Sequence, residues 1–496
     1  MTDGPVDLDT HRTIAAQRLE VIRRKQLKEL QDNLSKMKFQ QDALEKRLQA
    51  AIDESEEHIA SAPQTSRNKG APSAFGCRTS PTHNGNAANV NWLRGDASPE
   101  KDNPKSGASH WATGDVVRIG EEPVNLTSSS RRKRRSVATA IVYCEANFGK
   151  IDGKTANGLV RHSEKYKIIA IIDSRQAGQD AGAVLDGTPN GIPICSDLAD
   201  SIAQVEGMPD CFILGMAPSS GMLSTIERNV VLDAIGLGMD IVNGLHEFLS
   251  VDDEFIKASK ANNVQIFDVR MPHEKTQLKA FTGDIAHVTC PRIAVLGTDC
   301  AIGKRTTASL LTNALNDRGV KTVMVSTGQT GLIQGALYGV ALDAIPSQFC
   351  AGELEVAVIA AFECEKPDLI IIEGQGALSH PAFSTSAFVL RGSQPASVIL
   401  QHAPGRTHRC DFEGMVMPDP ANEIRLIECF AKTRVIGLTI NHENMSDEEV
   451  LAAGAKYRRE LGIPSTDPLR HAPERLIEMV VKAHPHLQVK LNDQAQ

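Results

Sequence analysis

The chain has 496 residues, 41% apolar and 23% charged, with aromatics at 4% and 38 glycines. At about 100–200 residues per domain, that length allows two to four domains with ample core, and the balance suits α/β architecture. A formal net charge of −8 repels nucleic acid and anionic membrane, and no apolar run reaches the ~18–20 residues of a membrane span, so neither is an expected partner.

The ten cysteines, at 77, 144, 195, 211, 290, 300, 350, 364, 410 and 429, form no CxxC pair and no zinc-like spacing. Free thiols in a reducing compartment fit this pattern. The N-terminal MTDGPVDLDTHR carries acids where a secretory leader carries positive charge. A cytoplasmic protein acting on a small molecule is the expectation, with a nuclear location the alternative.

From about residue 12 to 60 the chain is rich in Gln, Lys, Glu, Leu and Arg and has no Gly or Pro, which predicts a helical segment over 1–60. Leu27, Leu30, Leu34, Met37, Leu44 and Leu48 recur at three- and four-residue steps, with Gln41 at one seam position. That spacing fits a short coiled coil and a homo-oligomer, or a solvated helix packing on its own chain. Residues 61–135 are rich in Ser, Asn, Gly, Pro and Thr and predict a disordered linker, in which Trp92 and Trp111 could mark a binding segment. The linker ends in Arg131-Arg-Lys-Arg-Arg135, a solvated hinge or a nuclear-import run.

Residues 136–285 alternate β-branched runs (140–144, 167–173, 210–215, 240–244, 264–269) with amphipathic stretches such as 196–205, 224–236 and 252–262. Alternation of this kind predicts a parallel sheet and a Rossmann-like domain. The turn after its first strand, Glu145-Ala-Asn-Phe-Gly-Lys-Ile-Asp-Gly153, is not GxGxxG, so NAD binding has little support. Asp173 ends the second strand as a ribose-binding acid or as the cap of the next turn. Gly187-Thr-Pro-Asn-Gly-Ile-Pro193 resembles a segment of the CoA-binding Rossmann domain of succinyl-CoA-synthetase-like proteins, and is otherwise an ordinary turn.

Residues 286–490 carry the chemistry. The strand Ile293–Leu296 runs into Gly297-Thr298-Asp299-Cys300-Ala301-Ile302-Gly303-Lys304, followed by Arg305, Thr306 and Thr307 at a helix start. Strand, glycine loop, lysine and helix make an anion site: backbone N–H groups point inward, the helix N-terminus adds positive potential, and Lys304 reaches phosphate oxygens. Five residues separate the glycines, and the loop resembles the GTDxxxGK loop of dethiobiotin-synthetase-like enzymes. Where a Walker loop places Ser or Thr to ligate Mg²⁺, Arg305 stands; it binds phosphate but not metal. Asp368–Glu373 reads as an apolar strand whose terminal Glu373 occupies a Walker-B-like position, a metal ligand or a helix cap. Val323–Thr327 and Val435–Asn441 read as further strands. Asn441 ends the latter as an adenine reader or a turn former.

GTDCAIGKRTTA (297–308), STGQTG (326–331), EGQGALSHPAF (373–383) and His402-Ala-Pro-Gly-Arg406 together resemble the D-glutamate N-acetyltransferase family, long carried as a domain of unknown function. The resemblance covers about residues 138–485. It implies an α/β protein with a Rossmann-like domain followed by a P-loop NTPase-like domain, transferring acetyl from acetyl-CoA to the amine of D-glutamate. Such transfer needs a neutral amine, a bound thioester and oxyanion stabilisation. Glu373 and His380 are the candidate bases. Arg406 and Arg409, near His402 and His408, are a candidate carboxylate clamp or are solvated. The alternatives are an ATP- and Mg²⁺-dependent ligase and a non-catalytic nucleotide-binding regulator.

Overall fold

A computed structural model describes residues 137–218, 220–410 and 412–488. The expected coiled coil, linker, tryptophans and basic run lie outside the described residues. Two parallel sheets follow one another along the chain, each flanked by helices, so the α/β reading holds.

The first sheet comprises β1 (Ala138–Tyr143), β2 (Tyr166–Ile172), β3 (Ile194–Cys195), β4 (Cys211–Leu214), β5 (Asp240–Asn243) and β6 (Ile266–Asp268). Its order, β3-β2-β1-β4-β5-β6, is that of a doubly wound Rossmann sheet. The crossover helices are α1 (Lys154–Arg161), α2 (Ala181–Asp186), α3 (Leu198–Gln204), α4 (Thr225–Gly236) and α5 (Asp253–Asn262). Asp180, Asp197, Ser224 and Asp252 accept N–H bonds at the starts of α2 to α5, and Ser224 with Glu227 completes a capping box. Phe212, Leu214, Ile141 and Ile235 are fully buried beneath these helices, each contributing about 1.5–3 kcal/mol relative to exposure.

The second sheet comprises β7 (Arg292–Gly297), β8 (Thr322–Ser326), β9 (Tyr338–Gly339), β10 (Leu369–Glu373), β11 (Ser397–His402), β14 (Arg434–Ile440) and β15 (Ser465–Thr466). Its order is β15-β14-β11-β7-β10-β8-β9. The chain builds β8 to β10 on one side of β7 and then crosses to β11 on the other, which places the switch point, and hence the crevice, at the end of β7. The helices are α6 (Lys304–Asn316), α7 (Gln329–Gln334), α8 (Ser347–Glu365), α9 (Thr385–Ser393), α10 (Pro420–Phe430), α11 (Asp447–Leu461) and α12 (Glu474–Ala483). A small hairpin, β12 (His408–Arg409) with β13 (Phe412–Val416), stands apart. All five residues of β10 are buried, which explains its unbroken apolar run: a central parallel strand is covered on both faces.

The two domains are bonded to each other. Thr155 on α1 meets Thr330 on α7, hydroxyl to hydroxyl at 2.9 Å. Gln334 Nε2 donates to the carbonyls of Gly158 and His162, both at 2.8 Å. Arg270 pairs with Asp343 at 2.7 Å. The connecting segment is strapped down by the buried Glu355 of α8, which accepts the N–H groups of Thr282, Gly283 and Ile285. Among the described residues no helix is long and apolar enough to cross a membrane.

Candidate active site

The phosphate loop leaves β7 at Gly297 and enters α6 at Lys304. A Cβ on Gly297 would lie 2.7 Å from Ile302 Cδ1 and 2.9 Å from Lys304 Cδ, so the loop folds closely over this glycine. Gly303 turns the chain into the helix at φ +96°. Thr298 donates its N–H to Gln401 O at 3.0 Å, and its hydroxyl meets His402 Nδ1 at 2.8 Å. Burial lowers the His402 pKa to about 4, so this imidazole is a neutral brace behind the loop.

Asp299 is fully buried. Its Oδ2 accepts from Arg406 Nη1 and from Cys410 N, both at 2.9 Å. Its Oδ1 has no partner within hydrogen-bonding distance, and lies 3.9 Å from His380 Nε2 and 4.0 Å from Arg409 Nη1. Asp299, Cys300 and His380 bring their side-chain N, O and S ligand atoms within 4.8 Å of one another.

Arg406, expected in a substrate clamp, is engaged by the protein instead. It forks onto Glu443 at 2.7 and 2.8 Å and also donates to Asp299 and to the carbonyls of Cys300 and Ala301. Burial pulls its pKa down, but Glu443 and Asp299 outweigh that and hold it above the usual guanidinium value. Arg409 donates to Thr298 O and to Ser379 Oγ, tying the loop to the His380 segment. Asn441 donates to Ile302 O at 3.1 Å, so in this geometry it braces the loop rather than presenting its amide to a base. Thr307 donates to Gln401 Oε1 at 2.6 Å, on the sheet side of α6, while Thr306 is half-buried. His408 is exposed on the hairpin.

Arg305 turns toward β8 and β10. It donates to Ser326 Oγ at 2.6 Å and Gln334 Oε1 at 2.9 Å, and faces Glu373 Oε2 at 3.5 Å. Glu373 also accepts from Thr327 N at 3.3 Å. A Cβ on Gly331 would strike Ser326 Oγ, Arg305 Nη1 and Glu373 Oε2, so this glycine admits the pair. The two groups that a Walker site offers to Mg²⁺ are thus a guanidinium and the carboxylate that neutralises it. These residues do not fit that metal.

His380 also departs from the role of base. Its ring stacks on Phe383 with centroids 4.6 Å apart, and Nδ1 accepts the Ala382 N–H at 3.2 Å. An amide N–H can only donate, so the neutral ring carries its proton on Nε2, which is buried 3.9 Å from Asp299 Oδ1. The segment is held from beneath by Glu423 of α10, buried, which accepts the N–H groups of Leu378 and Ser379 at 2.6 and 3.2 Å.

Comparison with known proteins bears on this arrangement. Residues 279–477 match a P-loop domain of unknown function (DUF1611_C), and residues 174–272 match its Rossmann-like companion (DUF1611_N). A D-glutamate N-acetyltransferase of Pseudoalteromonas sp is 34% identical over 274 residues, covering 54% of this chain and 80% of the relative. The chain belongs to the D-glutamate N-acetyltransferase (DUF1611) family. A second such relative, from Tritonibacter scottomollicae, is 30% identical with 79% of its length covered. The crystal structure of a DUF1611 family protein from Anabaena variabilis is 30% identical and covers 70% of this chain and 99% of its own, with a TM-score of 0.64.

Within this family fold, the described residues that a dinucleotide site would use in the Rossmann-like domain are engaged by the protein's own backbone. Asp173 is fully buried, and its carboxylate accepts the N–H groups of Phe148 and Arg175, both at 3.0 Å, which caps a turn rather than reaching for a ribose. The Gly187–Pro193 turn wraps its own Asp180, whose carboxylate accepts N–H bonds from Asn190 and Gly191. Glu423, Glu443, Gln401 and Gln334 were not legible as site residues. Glu443 alone carried a signal, as an acid two residues beyond a strand-ending Asn.

Proposed function

We propose that this protein transfers the acetyl group of acetyl-CoA to the amine of D-glutamate or a related D-amino acid, with the phosphate loop gripping phosphates of the coenzyme. The observation that carries the reading is the convergence, at the end of β7, of the phosphate loop and Lys304 with the Asp299, Cys300 and His380 side chains. One end of that crevice suits a coenzyme's phosphates, and the other suits acyl chemistry. The relatives named D-glutamate N-acetyltransferase support the same direction.

Binding without hydrolysis is the natural use of such a loop. Lys304 and the positive end of the 13-residue α6 attract phosphate oxygens, while the Arg305–Glu373 pair gives a metal-borne phosphoryl transfer nothing to hold. A dethiobiotin-synthetase-like ligase requires that metal.

The test is release of free thiol from acetyl-CoA by the full chain, with D-glutamate, L-glutamate or no amino acid. D-glutamate-dependent release is expected. Phosphate release from ATP and Mg²⁺ without any thiol would put the ligase in its place, and nucleotide binding with no turnover would make the protein a regulator.

A further inference from the structure

We propose that Cys300 is the nucleophile of a two-step transfer: its sulfur takes the acetyl group from acetyl-CoA, and the amine then takes the acetyl from Cys300. The inference rests on the acetyltransfer reading above and names the residue through which it runs.

A one-step route would be marked by a side-chain base poised where the amine meets the acetyl-CoA thioester. The two obvious candidates are committed elsewhere: Glu373 faces Arg305 and accepts from Thr327, and His380 Nδ1 is capped by the Ala382 N–H. What the crevice does offer is a thiol. Cys300 is half-buried, and so reachable, whereas Asp299 and the His380 side chain beside it are fully enclosed. Its sulfur faces the glycine turn after β10, where a Cβ on Gly376 would lie 3.8 Å away. Cys300 is also set in the phosphate loop itself, four residues before Lys304 at the start of α6. A thiolate there meets the helix's positive end and the Lys304 ammonium.

A second observation points the same way. Asp299 Oδ1 is buried without a hydrogen-bond partner and is aimed at this cluster, 3.9 Å from the His380 Nε2–H. A metal ion would satisfy the carboxylate oxygen equally well, but two features oppose it. The protonated Nε2 has no lone pair to give, and Arg406 and Arg409 already bring two positive charges to Asp299 at 2.9 and 4.0 Å.

The steps balance. The Cys300 thiolate attacks the acetyl carbonyl, the C–S bond to CoA breaks, and the CoA sulfur takes up the proton that Cys300 gave, leaving S-acetyl-Cys300 and free CoA. This exchanges one thioester for another. The acceptor's ammonium then loses a proton to solvent, and its nitrogen attacks the acetyl carbon. The C–S bond to Cys300 breaks, and a second nitrogen proton passes to the sulfur. The products are the N-acetyl amino acid, the Cys300 thiol and one proton released to solvent.

The experiment incubates the full chain with acetyl-CoA labelled in the acetyl group, without amine, followed by acid quench and peptide mapping. One acetyl group on Cys300 is expected, released by hydroxylamine and passed to D-glutamate on addition, with parallel double-reciprocal plots. Cys300→Ala and Cys300→Ser should lose the label and roughly 100-fold or more in kcat while retaining measurable CoA binding by calorimetry. Acetyl on Cys410 instead, a label that D-glutamate does not discharge, or intersecting plots with Cys300→Ala still turning over would each overturn the proposal. Wild-type protein that acetylates no amine fails the acetyltransfer reading itself, which keeps the two failures distinct.

Discussion

Arg305 and Glu373 face each other at 3.5 Å across the crevice edge, where a metal-dependent phosphate-loop enzyme places a hydroxyl and a carboxylate around Mg²⁺. Both side chains are largely buried, at 16% and 7% exposure. Removing the cation strands the carboxylate and leaves Ser326 and Gln334 without their donor. Arg305→Ala should therefore cost about 3–5 kcal/mol in urea unfolding. The double variant Arg305→Met with Glu373→Gln should recover most of that loss, because neither partner is left charged. Thermal stability of the wild type should not respond to Mg²⁺ or to chelator; a clear Mg²⁺-dependent rise would return Glu373 to the role of metal ligand.

The Arg406 fork gives a second discriminating variant. If this guanidinium served a substrate carboxylate, its loss would raise the acceptor KM and spare the fold. Bonded as it is to Glu443, Asp299 and two loop carbonyls, Arg406→Ala should destabilise by about 3–5 kcal/mol and weaken coenzyme binding together with it. Lysine has one point charge and cannot reproduce the fork, so Arg406→Lys should recover little. Chemical denaturation and CoA titration of the same samples separate the two outcomes.

Much of this architecture is written locally. Strands such as 369–373 and 397–402 are buried on every residue, so they appear as apolar runs, and the polar residues that end them mark the crevice. The phosphate loop is legible because glycine spacing, strand and helix are all local. What escaped the sequence is pairing over distance: Asp299 with Arg406 is separated by 107 residues, and Arg305 with Glu373 by 68. No short-range pattern says that Asn441 will turn to Ile302 O, or that Arg406 is consumed by Glu443. The two-residue strands β3, β9 and β15 are too short to show a period. Glu423 and Glu355 sit on helices whose sequence reads as solvated acid, yet both are 1% exposed and cap backbone N–H groups.

His402 sets a pH dependence whose sign is fixed by burial. Its pKa is lowered to about 4 from an ordinary 6.5, so the unfolded chain binds a proton that the native one refuses between those values. The neutral ring's contribution is fully present above about pH 6.5 and is lost as pH falls toward 4, at a cost approaching roughly 3 kcal/mol. His402→Asn, which can still meet the Thr298 hydroxyl, should flatten the stability profile in that window. An unchanged slope would mean that another group titrates there.

Lys304 is the residue on which coenzyme binding turns. Lys304 is 6% exposed and its ammonium donates to Asp299 O at 2.6 Å; burial lowers its pKa, and the nearby Cys300 and Asp299 oppose that shift. A phosphate entering the loop gives this buried charge an anionic partner in place of a carbonyl. Loss of one charge-assisted bond, about 1.5–3 kcal/mol, should weaken CoA binding roughly 10- to 100-fold in Lys304→Ala. Lys304→Arg should not restore it, because a planar guanidinium fork does not reproduce the compact ammonium at this buried position. Calorimetric titration with CoA and with dephospho-CoA locates the contact. Equal losses for both ligands assign Lys304 to the pyrophosphate, and a loss confined to CoA assigns it to the 3′-phosphate. Unchanged affinity for both would remove the phosphate loop from coenzyme binding altogether.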